Sequence, residues 1–206
     1  MEDRAMPNAN VRLLLTALQD VMGDNGLKAV LKQGGLERYV DNFPPDDTNR
    51  NAKFSEYARI QQAVENFYGG PRGARAMMRR AGHATFQYAL NSRPAILGLV
   101  GVALKALPEG TRMKFILDRI ARASTEEVNL PAHVEEHDDH FLFVAEACAC
   151  VFRERDPKLG PCCFVTAGAL EAAVQWATGK RHTVKEIFCL QNGGDACRYR
   201  VEKAAD

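Results

Sequence analysis

The chain has 206 residues, 46% of them apolar and 26% charged, and its 27 Lys and Arg against 26 Asp and Glu leave a formal net charge of +1. Such a length and composition suit one globular domain with a sizeable core. The even balance, with no block of like charge, speaks against a nucleic-acid groove.

In chain order, the first two thirds read as helices. Asn8 or Asn10 can cap a helix whose apolar residues Val11, Leu14, Leu15, Leu18, Val21 and Met22 recur at helical spacing. Asp24-Asn25-Gly26 breaks it, and Leu27, Val30 and Leu31 continue on a short second helix that stops at Gly34-Gly35. Residues 42–49 cluster Pro, Asp and Asn and form a loop. Ser55 caps a helix carrying Tyr57, Ile60, Val64 and Phe67; Gly69-Gly70-Pro71-Arg72-Gly73 ends it and opens another that runs to about Asn91. Pro94 starts an apolar helix that Pro108 ends. Its stretch 95–107, interrupted by Lys105, is shorter than the about 20 residues of a membrane span. A further helix covers 109–124.

Near Val128 the pattern changes to period 2. Residues 129–136 and 141–152 read as strands joined through His137-Asp138-Asp139-His140. A helix follows over 163–178. Residues 183–191 and 196–203 form a last hairpin, turning through Asn192-Gly193-Gly194-Asp195. The order strand, strand, helix, strand, strand predicts a single α+β domain, with a helical part (1–127) packed on a four-stranded antiparallel sheet part (128–206).

Six cysteines, without an apolar leader in Met1-Glu2-Asp3-Arg4-Ala5-Met6-Pro7, imply a reducing, cytoplasmic setting where thiols serve metals or chemistry. Cys163, Glu186, Cys189 and Cys197 stand out. Thiolates bind zinc or iron strongly, and a carboxylate completes a four-coordinate site. Cys163 falls at a helix start, where the positive end of the dipole favours a thiolate. Cys189 and Cys197 flank the Gly-Gly turn. Glu186 and Cys189 would point to opposite faces of an ideal strand, so a shared ion requires a bulge or a strand that ends near Phe188. The spacing is not a CxxC pair, and it also suits buried apolar cysteines beside a solvent-facing glutamate.

The run Pro161-Cys162-Cys163-Phe164-Val165-Thr166-Ala167-Gly168, then Gly179-Lys180, then Glu186-x2-Cys189-x4-Gly194-x2-Cys197, resembles the V4R (4-vinyl reductase) domain family. That family includes predicted hydrocarbon-binding proteins and the sensory domains of phenol- and xylene-responsive activators. Asp41-Asn42-Phe43-Pro44-Pro45 and Arg79-Arg80-Ala81-Gly82 extend the likeness over most of the chain. The resemblance implies a ligand-binding fold shared with a trafficking-complex subunit. It also implies a structural zinc on Cys163, Glu186, Cys189 and Cys197, and an apolar, aromatic or lipid-like ligand. A closed four-ligand site cannot activate water, which argues against a zinc hydrolase.

Phe115, Phe141, Phe143, Phe152, Phe164 and Trp176 fall on the sheet and the helices expected to cover it; they fill a core or line an apolar pocket. His137 and His140, with carboxylates between them, could hold a metal but read first as part of a solvated hairpin; Cys148 and Cys150 could join a second site but read first as small residues on the sheet face under the helices. The chain lacks GxSxG, HExxH and a dinucleotide fingerprint. The expectation is a sensor or carrier rather than an enzyme, forming a homodimer or contacting a downstream protein. The alternatives are an accessory protein or reductase acting on the vinyl group of a chlorophyll precursor, and an interaction subunit without a pocket.

Overall fold

The structure, a computed structural model, describes residues 2–91 and 106–206; the apolar helix expected from Pro94 falls outside them. The two helices expected at the N-terminus are both present, joined across a non-helical kink at Gly23 and taken together as α1 (Asn8–Gln33). Gly23 has φ 75° and ψ 163°, a conformation a side chain would resist, so the break falls just before the expected Asp24-Asn25-Gly26. Val11, Leu14, Leu15 and Leu18 before the bend, and Leu27, Val30 and Leu31 after it, all turn to one core. α2 (Phe54–Phe67) and α3 (Pro71–Asn91) complete that core. A short antiparallel pair, β1 (Ala5–Met6) with β2 (Ala52–Lys53), ties the N-terminus to the start of α2. Two residues per strand leave too little alternation to read from sequence.

α4 (Glu109–Val128) ends at Asn129, which adopts the left-handed conformation of a helix stop. The sheet follows: β3 (Ala132–Glu136), β4 (His140–Ala145), β5 (Val184–Phe188) and β6 (Cys197–Glu202). All neighbours are antiparallel, in the order β3-β4-β6-β5. α5 (Phe164–Thr178) lies between β4 and β5 in sequence and, with α4, covers the inner face of the sheet. The expected α+β arrangement and the sequence order of strands and helix are present.

The second expected strand is too long. β4 stops at Ala145, not at residue 152. Ala145 pairs with Cys197, the first residue of β6, so residues beyond it meet no cross-strand partner. The Glu146 amide instead bonds the Pro131 carbonyl (2.9 Å), and residues Ala149–Phe152 coil into a 3-10 turn whose Ala149 and Phe152 pack into the N-terminal core.

α3 and α5 join the two cores. A Cβ on Gly82 would stand 2.1 Å from the Val165 carbonyl oxygen, and one on Gly168 would stand 2.1 Å from the Arg79 carbonyl oxygen. The two backbones are therefore in direct contact, which only glycine permits. Beside this contact Arg79 pairs with Glu171 of α5 and donates to the Val184 carbonyl of β5 (2.7 Å). No described helix is long and apolar enough to cross a membrane.

Candidate metal centre

The structure draws all six cysteines to one place. Cys163 is the residue capping the start of α5, Cys189 follows β5, and Cys197 opens β6. Their sulfurs form a triangle with edges of 3.9 Å each. Metal–sulfur bonds of about 2.3 Å in a tetrahedron set sulfur–sulfur edges of about 3.8 Å. Glu186 joins this trio: Cys163, Glu186, Cys189 and Cys197 present one donor atom each, all within 4.8 Å of one another. The tension between Glu186 and Cys189 is resolved by an irregularity. Register shifts between Glu186 and Phe188, and β5 ends at Phe188.

Cys148, Cys150 and Cys162 also lie here: the sequence offers Cys148 and Cys150 a second site, set behind the sheet-face reading, and gives Cys162 no role. Cys150 Sγ lies 3.6 Å from Cys197 Sγ and 3.7 Å from Cys189 Sγ; Cys148 Sγ lies 3.6 Å from Cys163 Sγ; Cys162 Sγ lies 3.8 Å from Cys189 Sγ. The expectation that Cys148 and Cys150 sit on the sheet face fails because β4 has already ended. The turn after it brings them to Cys163 at the start of α5 and to Cys189 and Cys197. The Cys-x-Cys spacing was the available signal, hidden by the strand reading.

Glu186 is 8% exposed, and its carboxylate Oε2 accepts from the Cys163 amide (2.8 Å), while Oε1 has no partner. Burial, then the neighbouring Cys189 sulfur, pushes its carboxyl up to about 9. The Tyr199 hydroxyl, on the residue paired with Glu186 across the sheet, is fully buried and also unpartnered. The thiols share their protons unevenly. Hydrogen bonds led by Cys150 hold Cys148 and Cys189 below the usual thiol range, while contacts led by Cys148 hold Cys150, Cys163 and Cys197 above it. For Cys163 this crowding, with burial, raises the thiol, the opposite direction to that expected at a helix start.

The loop that carries Cys162 and Cys163 is held from behind by buried ions. Arg153 and Arg155 both pair with Glu65 of α2, and the three side chains are 1–2% exposed. Arg153 donates to the Cys162 carbonyl (2.8 Å) and Arg155 to the Gly160 carbonyl (2.6 Å). This clamp, unanticipated from sequence, ties the cysteines to the N-terminal helices.

The six aromatics named from sequence do not line one space. Phe141 and Phe143 are buried between sheet and helices, packed with Tyr199, Leu170 and Val174, and Trp176 flanks them against Phe86. Phe152 and Phe164 pack on the other core, and Phe115 is 41% exposed. Two open clefts of about 380 and 310 Å³ lie on the surface around Tyr39, Asn42 and Phe43, formed by other residues. His137 and His140 stack at 4.5 Å on the β3–β4 turn, as a solvated hairpin would place them.

Comparisons with known proteins define first a fold. No family model and no curated protein matches the chain. Its architecture is α+β and similar to that of H-NOX domains. An oxygen-binding H-NOX domain related to soluble guanylate cyclases is 14% identical, with 96% of this chain and 94% of that chain covered and a TM-score of 0.59. An H-NOX protein from S. oneidensis, in its Fe(II)NO ligation state, is 16% identical over 93% of this chain and 97% of that one, with a TM-score of 0.57. A trafficking protein particle complex subunit 3 from Naegleria fowleri, covalently bound to palmitic acid, is 13% identical over 72% of this chain and 93% of that one, with a TM-score of 0.53. At such identities the likeness is one of fold.

These findings correct the V4R assignment, and with it the 4-vinyl reductase reading and the structural zinc. No family model supports the assignment, and the similar solved structures are H-NOX domains together with the trafficking-complex subunit. The closed four-ligand clamp is also not what the site presents, since three further cysteines crowd the same four donors.

Haem, the group named with an H-NOX neighbour, does not fit the residues described. α3 and α5 touch backbone to backbone at Gly82 and Gly168, leaving no slot there for a flat macrocycle. Each of the five histidines leans on a carboxylate: His83 on Glu171, His133 on Glu146, His137 on Glu135, His140 on Asp139 and His182 on Glu109. Three of the five stand on the β3–β4 hairpin.

Proposed function

We propose that this chain is a sensor domain whose responsive element is a buried metal–thiolate centre built on Cys163, Glu186, Cys189 and Cys197. The observation that carries the reading is Glu186. A carboxyl group this deep, with one oxygen unpartnered and sulfurs on its other side, is costly unless a proton or a cation meets it. A soft transition-metal ion satisfies the Glu186 carboxylate and the sulfurs of Cys163, Cys189 and Cys197 together. The sensory half of the proposal rests on fold analogy with the oxygen-binding H-NOX domain. It is supported by the Glu65–Arg153–Arg155 clamp, which gives a change at the sulfurs a route to α2. A second copy of the chain or a downstream protein would read that change.

The test is metal analysis of protein purified without oxygen, with hydrogen exchange before and after chelation. The proposal expects stoichiometric thiophilic metal, lost in Cys163→Ser and Cys197→Ser. It also expects faster exchange in residues 153–162 and in α2 once metal is removed. Metal-free protein that takes up no ion, or exchange in α2 that ignores the metal, would sink it.

A further inference from the structure

We infer that the centre is polynuclear, with at least two thiophilic metal ions sharing Cys163 as a bridging ligand; this rests on the metal–thiolate reading above and deepens it. Three sets of four donors lie close enough to grip an ion: Cys163, Glu186, Cys189 and Cys197; Cys148, Cys150, Cys163 and Cys197; Cys150, Cys162, Cys163 and Cys189. Cys163 is in all three, and Cys150, Cys189 and Cys197 are each in two.

One tetrahedral ion uses four ligands, and here seven donors converge, six sulfurs and one carboxylate. A single ion would leave Cys148, Cys150 and Cys162 as spare thiols packed against an anionic site. The sulfur network instead divides into two triangles on a common edge. Cys163 completes a triangle with Cys189 and Cys197, and Cys150 completes another on the same edge at 3.6 and 3.7 Å, folded so that the Cys150 and Cys163 sulfurs lie within 4.8 Å of each other. Glu186 closes the first triangle. The second position takes Cys197 from the common edge and adds Cys148, which touches Cys163 at 3.6 Å. A thiolate has lone pairs enough to bridge two metals, and bridging lets few ligands neutralise more charge.

The surroundings agree with an extended, ligand-rich centre. The unpartnered Tyr199 hydroxyl and the free Glu186 oxygen are both buried, and Cys163, Glu186 and Cys197 are among the electrostatic neighbours of the Tyr199 ring. On the far side, the Cys162 carbonyl is fixed by Arg153. The loop that carries Cys162 and Cys163 is therefore held by contacts of the protein's own.

The deciding experiment titrates metal-free full-length protein with Co(II) alone under nitrogen. Native mass spectrometry counts the ions, and electron paramagnetic resonance measures their spin. The inference expects at least two Co(II) per chain, with spin intensity at saturation below that of two isolated ions, because a shared thiolate couples them. The double variant Cys148→Ser, Cys150→Ser is expected to stop at one Co(II) with its full spin signal. Should that variant not fold, the wild-type count and spin still decide. One Co(II) per chain in the wild type, or two with additive signals, overturns the shared centre and leaves the metal–thiolate reading standing. No bound Co(II) overturns both.

Discussion

The core under α1, α2 and α3 and the core between α4, α5 and the sheet bury their residues equally well but hold different chemistry. The first is aliphatic: Val11, Leu14, Leu15, Val30, Ile60 and Val64 are each fully buried. The second holds five buried cysteines around Tyr199, Phe141 and Val201, with Glu186 set among them. An aliphatic core is held by apolar burial and needs no other partner. A core of thiols and a carboxylate is secure only while every polar group finds its counterpart. The difference teaches that one half of this chain is scaffold and the other is conditional on what it binds.

The largest effect is expected where the halves meet. Glu65→Ala would strand two buried arginines, and breaking one member of such a set costs about 3–5 kcal/mol. Urea unfolding measures this; a loss no greater than that of an exposed ion pair would show that the clamp does not join the cores. A slightly smaller effect tests the aliphatic side. Leu14→Ala is expected to cost about 2–5 kcal/mol, the usual range for a buried Leu. The cost should be the same with and without a chelator, whereas the wild-type unfolding midpoint should fall when metal is withdrawn. A Leu14→Ala penalty that changes with chelation would erase the distinction between the two cores.

The smallest effect lies on the surface of the sheet half. Hydrogen bonds from His140, then Arg200, hold the Asp139 carboxyl down at about 2 against an ordinary 3.8. A carboxyl lowered by folding stabilises the folded state above its unfolded value, and that contribution fades as pH falls through the folded one. The stability gap between wild type and Asp139→Asn should therefore close as pH falls from 3.8 towards 2. Asp139 is fully exposed, so the shift in thermal midpoint should be small. A gap that widens on acidification would contradict the pairing.

Much of this was legible in the residues, and the remainder divides along a physical line. Helical spacing in Val11, Leu14, Leu15 and Leu18 determined α1, since a 3.6-residue period is written locally. Asn192-Gly193-Gly194-Asp195 marked the last turn, where Gly193 has φ 84°, for the same reason. Cys163, Glu186, Cys189 and Cys197 were singled out because their residue types share a chemistry, and the structure brings their donor atoms within 4.8 Å. Tertiary structure alone decided that β4 ends at Ala145, because the end is set by where β6 begins. It alone brought Cys148 and Cys150 to sulfurs 15 and 47 residues away, and Arg153 to Glu65 across 88 residues. It also sorted Phe141 from Phe152 and Phe164 into separate cores. Periodicity reports which face of an element is apolar. What that face meets depends on how whole elements pack, and no local pattern carries that.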